Sequence, residues 1–127
     1  MTKRVVSQAT RFKTKAGLEG CYRLSSVGAV WLGYVAVPQG HPAHGKHYDA
    51  LSGAPVHGGL TYSGKAPQGH PGGSGEEWWF GFDFAHAGDC VIGVMPGKLW
   101  TLDEVRAQIE ALAEFLNRPG FDRIRIN

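Results

Sequence analysis

The sequence is poor in the features that most directly announce a function. Only two cysteines occur in 127 residues, Cys21 and Cys90, so at most one disulfide is available. A chain of this length buries an adequate core without such a staple, and two thiols kept reduced are the expected reading. No stretch approaches the ~20 consecutive apolar residues of a membrane helix. Arg4 and Arg11 flank no signal-like apolar run, so the chain reads as cytoplasmic, with no membrane partner. The net charge of +2 is too small to mark a nucleic-acid binder. Lys3, Arg4, Arg11, Lys13 and Lys15 make the N-terminal segment basic, which reads as a solvated strand edge. A Gly-x-Ser-x-Gly elbow and a phosphate loop are both absent, since Gly72-Gly73-Ser74-Gly75 lacks the lysine and following helix that cradle a phosphate. Nothing in the sequence calls for a cofactor.

What the chain has is apolar periodicity, 43% hydrophobic residues and 19 glycines. Thr101 followed by Glu104 is a capping box ahead of Leu102, Val105, Ile109, Leu112 and Leu116, which predicts a C-terminal helix with one buried stripe. Asn117, Pro119 and Gly120 stop it, and Phe121, Ile124 and Ile126 predict a short final strand. Upstream, Leu18 to Leu24, Val27 to Val37, Val56 to Ser63 and Glu77 to Phe84 read as strands, and Cys90 to Met95 as a further short one. Residues 38–55 read as a structured loop and Lys65 to Gly75 as a Gly/Pro-rich connector. Pro-Gln-Gly-His-Pro occurs at 38–42 and 67–71, but mismatched flanks argue against a repeat unit. The expected fold is a single α+β domain over 1–127, an antiparallel sheet of about five to six strands on one amphipathic helix.

Alternation along a strand puts Trp78, Phe80, Phe82 and Phe84 on one face, toward the helix, and Trp79, Gly81 and Asp83 on the other. The same rule applied to Val56 to Ser63 sends Val56, Leu60 and Tyr62 inward and His57, Gly59 and Thr61 outward. Adjacent strands would then present a glycine floor (Gly59, Gly81), an aromatic wall (Trp79) and polar groups from His57, Thr61, Asp83 and His86. Such a surface suits a flat ligand such as a nucleobase or sugar ring.

Two constellations invite chemistry. His41, His44 and His47, with Asp49 nearby, are the most metal-like local pattern, although their spacing matches no established metal site and a solvated His-rich turn accounts for them. Asp83-x-x-His86-x-x-Asp89 together with His57 could form a His–carboxylate acid–base site, whereas turn capping explains the same residues without catalysis.

Val56-His57-Gly58-Gly59-Leu60-Thr61-Tyr62, followed by Trp78-Trp79-Phe80-Gly81-Phe82-Asp83 and Ala85-His86, resembles a family of small bacteriophage and prophage proteins to which no activity is assigned. Gly33-Tyr34-Val35, Gly40-His41-Pro42 and Tyr48-Asp49 extend the resemblance, which covers about Gly33 to Leu116. It implies a phage origin and marks His41, Tyr48, Asp49, His57, Trp79, Asp83 and His86 as motif positions. Such proteins often carry cysteine where this chain has Phe84, so no cysteine chemistry is assigned there. The expectation is a non-catalytic, phage-encoded binding protein that counters a host defence system by holding a nucleotide-like ligand or blocking a host protein. Its ligand-binding residues would be Tyr48, Asp49, His57, Gly59, Thr61, Trp79, Gly81, Asp83 and His86. The alternatives are a small hydrolase or lyase using His57, Asp83 and His86, possibly metal-assisted, and a virion or assembly component whose aromatic-rich sheet forms a homo-oligomer interface.

Overall fold

The computed structural model describes residues 9–66 and 75–121. Five antiparallel strands form one sheet: β1 (Thr10–Lys13), β2 (Glu19–Leu24), β3 (Trp31–Val37), β4 (Tyr62–Gly64) and β5 (Trp78–Asp83). Their order is β1-β2-β3-β5-β4, so the chain passes from β3 to the far edge before β5 fills the space between. Among the described residues one α-helix, α1 (Leu102–Leu116), packs across β2 and β3, giving the α+β architecture expected from the sequence. No helix among the described residues is long and apolar enough to cross a membrane.

The basic segment supplies β1, an edge strand with Arg11 ion-paired to Glu19 of β2. Thr14 closes the hairpin: its hydroxyl donates to the Leu18 carbonyl and accepts from the Leu18 N–H. α1 begins as predicted. The Thr101 side chain accepts from the Glu104 N–H while the Glu104 carboxylate accepts from the Thr101 N–H, which satisfies two of the helix's orphan donors. Val105, Ile109, Leu112, Ala113, Phe115 and Leu116 are its buried residues. They meet Phe80, Phe82 and Phe84, with the half-buried Trp78 beside them, as alternation along β5 requires.

The helix can lie close to the sheet because β2 and β3 carry glycine beneath it. A Cβ at Gly20 would sit 2.9 Å from Ile109 Cγ2, and one at Gly33 would sit 2.7 Å from Phe82 Cζ and 3.2 Å from Ile109 Cγ1.

Several expected elements differ. The β3 strand begins at Trp31 rather than Val27, since residues 26–29 turn, with Ala29 at φ 53°. The segment Val56 to Ser63 is not a strand along its length. Gly58 and Gly59 both take positive φ, 72° and 79°, and the Gly59 N–H bonds back to the Val56 carbonyl, so the chain turns there and reaches β5 only with the Thr61 N–H, which donates to the Gly81 carbonyl, before β4 begins at Tyr62. Cys90 to Met95 forms a turn closed by a Val91–Met95 bridge instead of a strand. Phe121 is buried, and the rest of the expected final strand, like most of the 65–75 connector and the second Pro-Gln-Gly-His-Pro copy, lies outside the described residues.

Candidate functional site: a paired histidine–carboxylate cluster

The turn at Gly58 brings His57 to the helix side of the sheet, not to the outer face that a continuous strand would have given it. Its ring stacks on Phe84 (5.5 Å between centroids, 18° between planes) and lies 4.7 Å from the Trp100 ring. Its backbone N–H donates to Gln108 Oε1 of α1, which fixes the turn to the helix. His57 Nε2 is 2.7 Å from Asp89 Oδ2. With a carboxylate as partner, Nε2 carries the proton and donates, leaving Nδ1 as the basic nitrogen.

Asp89 is the hub. It is only 2% exposed and accepts from three donors, His57 Nε2 in the loop before β4 and, within its own β5–α1 connection, the His86 N–H at 2.9 Å and Trp100 Nε1 at 2.9 Å. Burial pushes its carboxyl upward, but the hydrogen bonds from Trp100, the His86 N–H and His57 outweigh that and hold it below the usual carboxylate range. A buried carboxylate with three donors is satisfied as an anion.

The second pair is His86 with Asp83. His86 Nε2 lies 3.2 Å from Asp83 Oδ1, close enough for charge attraction but out of line for a hydrogen bond. Asp83 is itself positioned by Thr61, whose hydroxyl donates to Oδ2, and by the Ala85 N–H, which donates to Oδ1. The two imidazoles stand edge to face, 5.3 Å apart at 82°. The His57, His86 and Asp83 side chains are roughly one quarter exposed, at 25%, 29% and 28%, so solvent reaches the pair while Asp89 stays covered. Among the described residues neither Nδ1 atom has a hydrogen-bond partner.

The structure brings together His57, Asp83, His86 and Asp89, with Thr61 beside them, but the aromatic wall expected from Trp79 is not at this cluster. Trp79 is fully buried on the opposite face of the sheet, among Ala9, Cys21, Tyr34 and Ala36, with the Arg11 guanidinium 5.4 Å from its ring centroid. Gly81 offers no floor, because the Tyr34 ring would lie 2.5 Å from a Cβ there. Tyr62, expected to face inward with the helix, joins that second cluster and meets Tyr34 edge-on. Gly59 does face open space. The aromatic wall at the imidazoles is Trp100 with Phe84. Trp100 stands next to the capping Thr101, which fixes it at the helix entrance.

Tyr48 and Asp49 lie in a short 3₁₀ turn, Tyr48–Ala50, with polar contacts directed elsewhere: the Tyr48 N–H donates to Ser63 Oγ and Asp49 pairs with His47. The three clustered histidines do not converge. His41 Nε2 donates to the Leu116 carbonyl at the end of α1 while its Nδ1 accepts from the Ala43 N–H, His44 reaches the Glu76 carbonyl, and His47 Nδ1 accepts from the Asp49 N–H. Among the described residues no three His, Cys, Asp or Glu side chains are grouped to hold a metal ion.

No family model, no curated protein and no solved structure matches this chain. The functional argument therefore rests on the geometry of the cluster.

Proposed function

We propose that the chain is a small acid–base hydrolase or lyase working through His57 and His86. The observation that supports this is the pair of perpendicular imidazoles 5.3 Å apart, each backed by its own carboxylate and each with Nδ1 uncommitted among the described residues. In this reading His57, held in one tautomer by Asp89, takes a proton from water or substrate at Nδ1. His86, in its protonated form beside Asp83, returns a proton to the leaving group. Proton transfer by a positioned side chain is worth roughly 10²–10⁴ in rate.

The test uses chromogenic 4-nitrophenyl esters and phosphodiesters with His57→Gln and His86→Gln. Glutamine at 57 retains an N–H donor for Asp89, so the buried carboxylate is not abandoned. Each variant should lose about 10²–10⁴ in rate at an unchanged melting temperature. Equal rates for wild type and the double variant would end this reading.

A second reading keeps the same residues without turnover: a phage-encoded protein that counters host defence by holding a nucleotide-like ligand or a host protein. One observation favours it. Among the described residues no hydroxyl or thiol hydrogen-bonds to either imidazole, so no side-chain nucleophile is built into the cluster. A ligand recovered chemically unchanged after tight binding would select this reading over the first.

A further inference from the structure

Phe84 and Trp100, which contact His57, also line a cavity of about 200 Å³. Trp31, Phe84 and Trp100 are its aromatic lining, with Val30, Cys90 and Lys98 beside them. The walls are fixed: Trp31 Nε1 donates to the Trp100 carbonyl at 3.1 Å, and Trp100 Nε1 donates to the buried Asp89. A site whose rings are already ordered loses little side-chain freedom when a ligand enters.

The size selects a small occupant. An apolar cavity of ~150 Å³ accepts one benzene ring, so this cavity has room for one ring and a small substituent. Charge selects its chemistry. Lys98 is the one charged residue among those lining the cavity, and its ammonium sits over the Trp100 ring, 3.9 Å from the centroid. Its partner Glu104, 2.9 Å away, is an exposed one, and exposed ion pairs of this kind contribute only ~0–1 kcal/mol. An incoming anion can replace it. We infer that this cavity binds a single-ring aromatic carboxylate, with the ring against Trp31 and Phe84 and the carboxylate on the Lys98 ammonium. This inference is independent of catalysis at the histidine pair.

Cys90 lines the cavity, so its alkylation by iodoacetamide, followed by mass spectrometry, reports occupancy. Cys21 is an internal control for intact folding, being buried with its thiol pushed up to about 12 by that burial. Benzoate should slow Cys90 alkylation several-fold at saturation, whereas acetate, which has the charge without the ring, should not. Lys98→Met should raise the benzoate concentration required by about tenfold, the loss of one charge-assisted contact, and leave protection by benzyl alcohol unchanged. Val30→Phe should fill the cavity and abolish protection. Unchanged Cys90 alkylation in saturating benzoate, with Cys21 unlabelled, would overturn the inference. Benzoate protection that survives Lys98→Met undiminished would overturn it equally.

Discussion

Gly58 carries two constraints that a pair of single substitutions separates. Its φ of 72° favours glycine, and a Cβ there would overlap the His86 imidazole. Gly59 has nearly the same φ, 79°, but nothing within 4 Å of an added Cβ. Alanine at 59 should therefore cost roughly 1–2 kcal/mol, the left-handed penalty alone. Alanine at 58 carries the same penalty and must also push His86 away from His57. Denaturant unfolding of the two variants, with histidine ring NMR spectra, checks this: both should be destabilised, and only Gly58→Ala should move the His86 and His57 ring signals. Identical spectra for the two would mean that the imidazole pair does not depend on this contact.

Contact between elements rests on the same absence of side chains, now beneath the helix. Ile109 reaches the sheet over Gly20, where Thr14 Cγ2 (3.0 Å) and Phe12 Cζ (3.1 Å) also crowd an added Cβ. Gly20→Ala should cost ~1–3 kcal/mol by overpacking, and Ile109→Ala ~2–5 kcal/mol by leaving a cavity. The double variant should be more stable than the sum, because the new methyl enters the space that Ile109 vacates; a double-mutant cycle from urea unfolding reads the coupling. Elements of this kind were legible in the sequence wherever one period ran unbroken. The capping box and stripe gave α1, and the aromatic alternation of β5 put Phe80, Phe82 and Phe84 under it. Legibility failed at residues 56–63, where the side chains alternate as in a strand but two successive glycines at positive φ turn the backbone. That single turn sends His57 to the helix side. Trp79 was misread for a different reason: alternation assigns a residue to a face but says nothing of whether that face is covered, and Tyr34, Tyr62 and Arg11 cover this one.

For the molecule as a whole, two groups tie distant segments together through charge states that acid reverses. His41 joins the loop after β3 to the C-terminal end of α1, and burial lowers its pKa from the ordinary 6.5, with the Leu116 carbonyl acting against that shift and His44 adding to it. The unfolded chain therefore takes up the proton first. His41's contribution is fully present above about pH 6.5 and is lost as pH falls through its lower folded value, when a protonated Nδ1 confronts the Ala43 N–H that it now accepts. Asp89 joins the two loops of the histidine cluster, the one before β4 and the β5–α1 connection, and is also depressed, from 3.8. Its contribution is intact above that value and disappears as pH falls through the folded one, in a second and more acidic window. Stability measured by urea unfolding should accordingly decline in two stages on acidification. His41→Gln, whose amide can still donate to the Leu116 carbonyl but does not titrate, should flatten the upper stage and leave the lower one in place. A decline of unaltered slope between pH 6.5 and the acidic window in that variant would show that the helix terminus is not the element that the first proton releases.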